Sequence, residues 1–129
     1  MTFAKHVIAE LYDVKILTGP EQIEAVLQAA AQEAGATVLG GHFHIFEGGG
    51  VTGVLLLSES HISIHTWPEF SYAALDVFMC GATNPRLAAE RAAAGLKAGR
   101  SEIREITRGP SQTTTPNLPD NSPPERGSV

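Results

Sequence analysis

The chain has 129 residues, a length that suits a single domain with one hydrophobic core. Hydrophobic residues make up 43% of it, and nine Lys and Arg against fourteen Asp and Glu leave a formal net charge of −5. This balance disfavours nucleic acids and anionic membranes as partners, because both attract basic surfaces. No segment approaches the roughly 18 apolar residues of a membrane-spanning helix, and the N-terminus has no signal-peptide pattern. The single cysteine, Cys80, excludes an internal disulfide and is typical of a reducing cytoplasm.

The first predicted elements are a strand and a helix. Residues 3–12, FAKHVIAELY, alternate moderately between apolar and polar positions and predict a strand. The segment TGPEQIEAVLQAAAQEAG predicts a helix, with Thr18 and Glu21 spaced as a capping box, Pro20 in the first turn and Gly35 at the end. Its apolar residues recur at helical spacing on one face: Ile23, Val26, Leu27, Ala30 and Ala34.

Four strands, a second helix and a last strand follow. The segments ATVLGGHFHIF and VTGVLLLS predict a hairpin with EGGG as its loop, and HISIHTW and SYAALDVFMC predict two strands separated at Pro68. Asn84, Pro85 and Gly99 predict the cap, the opening and the end of a helix over NPRLAAERAAAGLKAG. The segment SEIREITR predicts the final strand.

The order β-α-β-β-β-β-α-β predicts the α+β class, with helices on one face of a mainly antiparallel sheet in a two-layer α/β sandwich. This domain should cover residues 1–108. Residues 109–129 hold five of the eight prolines and little that is apolar, and they predict a flexible tail. Because the other face of the sheet also needs cover, we expect a homodimer that pairs sheet to sheet.

The segment LSESHISIHTWPEF, residues 57–70, concentrates nucleophiles and bases between two strand patterns that read as buried. Polar groups in such a place are costly unless they are satisfied or used. Strand alternation predicts that Ser60 points with Ile62, away from His65. A site that uses both Ser60 and His65 would therefore need a bend in the backbone at Ser60. It also predicts two sets of residues that each share a face: His61, Ser63, His65 and Trp67, and Tyr72, Asp76 and Cys80. Contact of His65 with Cys80 across neighbouring strands is possible, although register cannot be read from sequence.

Three interpretations of these residues need no family. The histidines can be satisfied strand residues, and Cys80 a packed thiol. A metal site is the second, since His42, His44, His61 and His65 supply enough imidazoles, but no recognised metal signature accompanies them. A Ser/His/acid hydrolase is the third, and it is weakened because Ser60 does not lie in a G-x-S-x-G turn.

The segment SESHISIHTWPEFSYAALDVFMCG closely resembles the self-processing segment of prokaryotic S-adenosylmethionine decarboxylases of the short, pyruvoyl-dependent class. The resemblance extends upstream through FHIFEGGGVTGV and KHVIAELY and downstream to REITRG, so that it covers about residues 4–109. The family's fold, an α/β sandwich whose sheets meet across a homodimer, agrees with the predicted order of elements.

The resemblance implies that the chain is a proenzyme that cuts itself between Glu59 and Ser60. The products would be a β chain, residues 1–59, and an α chain, residues 60–129, in which Ser60 has become a pyruvoyl group. That ketone would form a Schiff base with the substrate amine and accept electrons as CO2 leaves. His65 would serve as the base for processing, Thr52 would support processing with its hydroxyl, and Cys80 would be the proton donor in turnover.

The implied substrate is S-adenosylmethionine, decarboxylated for spermidine biosynthesis, with Phe46 and Glu69 at its adenine and ribose. The chain departs from the family pattern at Gly48, Thr52 and Ser71, which leaves arginine or ornithine as alternative substrates. An uncleaved regulatory homologue is a further alternative, disfavoured because Glu59, Ser60, His65 and Cys80 are all present. Short members of the family generally work without a metal ion, so we expect none here.

Overall fold

In the computed structural model, which describes residues 3–110, six strands form one antiparallel sheet and two helices pack on one of its faces. The strand order in the sheet is β2-β3-β4-β5-β1-β6. The predicted α+β class is therefore confirmed. The elements are β1 Ala4–Tyr12, α1 Pro20–Glu33, β2 Val38–Ile45, β3 Val51–Leu57, β4 Ser60–Trp67, a 3₁₀ turn Pro68–Phe70, β5 Tyr72–Cys80, α2 Pro85–Gly95 and β6 Arg100–Arg108.

Helix α1 begins one residue later than a capping box at Thr18 requires. Gly19 is the N-cap, without a side-chain hydrogen bond, and Pro20 is the first helical residue. Proline suits that position because its missing N–H would have no partner there, and it keeps the preceding residue extended. The capping-box prediction is therefore wrong. The predicted end is confirmed, since Ala34 is the C-cap and Gly35 adopts φ +92°.

Helix α2 begins as predicted and ends earlier than predicted. The Asn84 side chain accepts a hydrogen bond from the Leu87 backbone N–H at 3.1 Å, and Pro85 follows as the first helical residue. The helix ends at Gly95 rather than Gly99, because Lys97 turns the backbone into the left-handed region at φ +60°. The Gly99 N–H instead donates to the Tyr12 carbonyl, which leads the chain into β6 beside β1.

The two faces of the sheet differ in character. The face under the helices carries the core, in which Val7, Leu55, Ile62, Ile64 and Val77 are fully buried. No described element covers the opposite face, which we call the open face. Strand register places both predicted same-face sets on it, as expected, together with residues from β1 and β3: His6, Ile8, Glu10, Tyr12, Thr52, Val54, Leu56, His61, Ser63, His65, Trp67, Tyr72, Asp76, Phe78 and Cys80.

Neither helix of the described residues has the length and apolar character needed to cross a membrane. Of the predicted tail, residues 111–129 lie outside the described residues, and its flexibility stays a prediction.

Thr66 ties the β3–β4 hairpin to the chain that precedes α1. Its buried hydroxyl accepts from the Val51 N–H and donates to the Leu17 carbonyl, both at 2.8 Å. Thr66→Val keeps the shape but leaves both backbone groups unpaired, and we expect it to lower the free energy of unfolding by about 1–3 kcal/mol. Urea denaturation would measure this, with Ser60 replaced by Ala in every chain so that all are compared uncut. Thr66→Ser, which keeps the hydroxyl, should lose clearly less; an equal loss would show that the methyl group matters instead.

Tyr72 and Glu10 link β5 to β1 on the open face, where the Tyr72 hydroxyl donates to the Glu10 carboxylate. This hydrogen bond, followed by burial and the charge of Glu10, raises the pKa of Tyr72 from 10.0 to about 12. Because the folded pKa is the higher one, the contribution to stability is complete below pH 10 and is lost as the pH rises towards 12. Tyrosinate absorbance should show a late-titrating tyrosine that disappears in Tyr72→Phe. In Glu10→Gln its pKa should fall, and an unchanged late titration there would contradict this assignment.

Candidate active site

A tight turn at Ser58 and Glu59 joins β3 to β4, and Leu57 pairs directly with Ser60 across it. The Ser58 N–H donates to the Thr37 carbonyl at 2.9 Å, which anchors the turn to the start of β2. Glu59 adopts φ +58°, a left-handed conformation that favours glycine because a Cβ atom crowds the backbone there. Such a residue stores strain of about 1–3 kcal/mol. The bond between Glu59 and Ser60 thus follows a strained residue.

Ser60 is the first residue of β4, and its side chain points to the helix-covered face, as strand alternation predicts. The Oγ atom is shielded from solvent and has no hydrogen-bond partner among the described residues. A buried hydroxyl without a partner costs roughly 1–3 kcal/mol, so this group is an exception to ordinary packing. The bend expected at Ser60 is not found: the turn lies at Ser58 and Glu59, and β4 is regular from Ser60 onward, so Ser60 keeps pointing away from His65.

Cys80 ends β5 at the same edge of the sheet as Ser60. The register pairs His61 with Phe78, so Ser60 lies level with Met79 and next to the end of β5. Cys80 is half-buried and lines a cavity of about 230 Å3, together with Lys5, Gly81, Thr83, Arg86 and other residues at the start of α2.

His65 lies at the opposite end of β4, beside Thr52 of β3. The two residues are opposite one another in register, and Thr52 Oγ1 lies 3.1 Å from His65 Nδ1. The Trp67 ring lies beside the imidazole, with 6.1 Å between centroids. A cavity of about 290 Å3 opens here, and its lining includes the four residues expected to handle processing and substrate at this end of the site: Phe46, Thr52, His65 and Glu69.

The expected residues therefore form two groups at opposite ends of the sheet. Ser60 and His65 are five residues apart along one strand, a span of about 16 Å. His65 lies opposite Ala74, so it does not meet Cys80, which pairs with Ala4 far along β5. The possible contact of His65 with Cys80 is therefore wrong within one chain.

The histidines of the metal interpretation do not converge. His42 and His44 lie on the edge strand β2, away from His61. Among residues 3–110, the group with suitable spacing contains His61 with His6 and Asp76 instead. The sequence motifs do not single out His6, although alternation along β1 places it on one face of the strand with Tyr12.

Comparisons of the sequence and the fold with known proteins point to one family. The sequence model of the family described as S-adenosylmethionine decarboxylase matches residues 5–109. A Thermotoga maritima protein named S-adenosylmethionine decarboxylase proenzyme is 43% identical over 111 residues, which are 84% of this chain and 85% of the relative. A protein of the same name from Thermosipho africanus is 42% identical over 125 residues, 95% of each chain.

A solved structure is also similar. The crystal structure of the adenosylmethionine decarboxylase from Aquifex aeolicus superposes with a TM-score of 0.78 at 34% identity, over 88% of this chain and 97% of that one. The family match spans the whole sheet and both helices, including the turn before Ser60 and the residues around His65. The chain belongs to the S-adenosylmethionine decarboxylase family.

Proposed function

We propose that the chain is the proenzyme of a pyruvoyl-dependent S-adenosylmethionine decarboxylase, which cuts itself between Glu59 and Ser60. The observation that carries the proposal is the pair formed by a left-handed Glu59 and a buried Ser60 hydroxyl without a partner. Strain before the bond and an unpaired nucleophile after it both favour a reaction over a stable resting state. The proposed pyruvoyl group fits this position, since serine can become a ketone by losing its own hydroxyl.

Self-cleavage would proceed through groups of the chain itself. Ser60 Oγ attacks the carbonyl carbon of Glu59, and the amide becomes an ester. A base removes the Ser60 α-proton, the Cβ–O bond breaks, and Glu59 leaves as a carboxylate. Water then replaces the nitrogen of residue 60, releasing ammonia and leaving the α chain, residues 60–129, with a pyruvoyl end. Cutting the bond also releases the constraint on Glu59.

In turnover, the pyruvoyl group would supply an electron sink for the loss of CO2. Cys80 would hold the proton that the substrate carbon receives, and its thiol suits this role because an unperturbed cysteine has a pKa of about 8.5. Phe46 would stack on the adenine and Glu69 would accept hydrogen bonds from the ribose. This proposed chemistry uses no metal ion.

The two groups of residues would meet in a homodimer. In this dimer the open faces of the two subunits would pack together about a two-fold axis, which would run perpendicular to the strands near Ile62 and Ser63. Strand β4 of one subunit would then lie over β4 of the other and run in the opposite direction. His65 and Thr52 of one subunit then lie over the Ser60 edge of the other, at the roughly 10 Å spacing of stacked sheets. The exposed apolar side chains of the open face, Val54 and Leu56 among them, would be covered in the same step.

The departures from the family pattern are compatible with S-adenosylmethionine as substrate. Ser71 adopts φ +50°, so the backbone keeps the left-handed shape that a glycine would take. Thr52 keeps a hydroxyl beside His65. The relatives compared above are all named for S-adenosylmethionine, which supports this substrate over arginine or ornithine. We also propose a cytoplasmic enzyme, on the reasoning given for its single cysteine.

Ser60→Ala should abolish both cleavage and decarboxylation, because no other hydroxyl can attack the Glu59 carbonyl from that position. Ser58→Ala is the matched control, since Ser58 lies in the same turn and should leave cleavage intact. Intact mass would show the fragments 1–59 and 60–129 in the wild type and in Ser58→Ala, and one chain in Ser60→Ala. Cyanoborohydride trapping with S-adenosylmethionine, arginine or ornithine would then identify the substrate. An uncut wild-type chain that traps nothing would favour the regulatory homologue.

A mixed dimer would test the shared site directly. We expect Ser60→Ala and His65→Ala chains each to stay uncut alone, because each dimer then lacks one group in both sites. Expressed together, they form some dimers in which Ser60 of the His65→Ala chain faces His65 of the other subunit. The His65→Ala chain should therefore be cut only on co-expression, and mass spectrometry distinguishes the two chains. Absence of cutting in a proven mixed dimer would contradict a site built from two subunits.

A further inference from the structure

Two histidines and a carboxylate converge on the open face, outside the residues to which we assign the chemistry. His6 of β1 and His61 of β4 both lie opposite Phe78 of β5, and Asp76 lies two residues before Phe78 on the same face. The three side chains thus come from three neighbouring strands. Sites built on strands of a sheet are held more firmly than sites on loops.

The spacing of the three side chains is close to that of metal ligands. Asp76 Oδ2 lies 3.3 Å from His6 Nε2, and Asp76 Oδ1 lies 3.7 Å from His61 Nε2. Candidate ligand atoms of the three residues all lie within 4.8 Å of one another. Two ligands bound at about 2.0–2.1 Å to one tetrahedral zinc ion are separated by about 3.4 Å. Small side-chain shifts would therefore bring all three onto one ion.

We propose that His6, His61 and Asp76 bind one divalent transition-metal ion, with zinc as the best match. Imidazole nitrogens and a carboxylate oxygen are ligands that zinc accepts, and the fourth position would be left for water in the space between the two open faces of the proposed dimer. His6 Nε2 is shielded from solvent and faces Asp76 Oδ2 at 3.3 Å without a hydrogen bond of adequate geometry among the described residues, so an ion could bind here once the ring carries its proton on Nδ1. A ligand at this nitrogen would satisfy a polar atom that is otherwise unpaired.

Neighbouring side chains hold the ligands in place. Ser63 Oγ donates to Asp76 Oδ1 at 2.7 Å, which fixes the carboxylate as outer-shell partners of metal ligands do. The Phe78 ring contacts both imidazoles, with centroids 5.6 Å from His6 and 5.8 Å from His61. Both contacts restrict rotation of the rings and so reduce the conformational entropy lost on binding.

The Arg108 side chain disfavours binding of a metal ion to His6. Its Nη1 lies 3.2 Å from His6 Nδ1, where a guanidinium can only donate. A metal ion on Nε2 leaves the proton on Nδ1, so two donors would then face each other and Arg108 would have to turn away. Removing the Arg108 side chain should therefore strengthen binding of the metal ion. No such gain is expected if the three residues form only a hydrogen-bonded cluster.

The test is titration of the chelator-treated full-length chain with Zn2+ by calorimetry and with Co2+ by visible absorption. We expect one ion per chain, at least tenfold weaker binding in His6→Gln and in His61→Gln, and about tenfold weaker binding in Ser63→Ala. Arg108→Gln should bind more tightly. His42→Gln is the matched control, since this histidine lies exposed on the edge strand β2 and should change nothing.

Thermal unfolding gives a second measurement that does not require activity. Zn2+ should raise the Tm of the wild type and of Ser60→Ala but not that of the His6→Gln, His61→Gln double variant. Because Ser60→Ala keeps the three ligands, a failure of self-cleavage and a failure of metal binding would be told apart. Wild-type binding that is absent, or that persists unchanged in the double variant, would reduce the cluster to a hydrogen-bonded network and overturn the proposal.

Discussion

The register of β4 between β3 and β5 determines which functional groups of this chain can meet. It sets Thr52 opposite His65 and brings Ser60 level with the end of β5, about 16 Å from His65 along the strand. A shift by one residue would turn His65 to the helix-covered face and break its contact with Thr52. The buried side chains of β4, Ile62 and Ile64, oppose such a shift because they would lose their place in the core.

Two energetically unfavourable features, a strained backbone and an unpaired buried hydroxyl, lie together at the start of β4. Glu59 is strained and Ser60 has an unpaired hydroxyl, and both lie where β3 and β4 join in a regularly paired hairpin. The Thr37 carbonyl holds the turn from one side. A folded core large enough to offset a few kcal/mol can maintain such a site, because each of the two penalties is small beside the burial of the sheet and helices.

Much of the fold could be predicted from sequence because its signals are local. Alternation identified the strands and the faces of His61 to Trp67, and Asn84 identified the start of α2 through its cap. The predictions were wrong where contacts with neighbouring residues, rather than the local sequence pattern, determine the structure. Helix α1 begins at Pro20 with Gly19 as its N-cap, so Thr18 cannot form the capping box. Helix α2 ends before Gly99 because Lys97 adopts a left-handed conformation. Register is non-local, so the separation of His65 from Cys80 was not visible in the sequence. The family resemblance named the residues of the site but did not show which of them share an end of the sheet.

The position of the Glu59–Ser60 bond in the sheet has a consequence for the proposed self-cleavage. Residues before the bond form β1, α1, β2 and β3, and residues after it form β4, β5, α2 and β6. Strand β1 lies between β5 and β6, so the two fragments interleave and neither holds a complete sheet. In a chain cut there as proposed, unfolding would also separate two fragments, so stability would depend on protein concentration. The chain would therefore have to fold before it is cut, because two separated fragments would no longer have the covalent link that lowers the entropic cost of bringing β3 and β4 together.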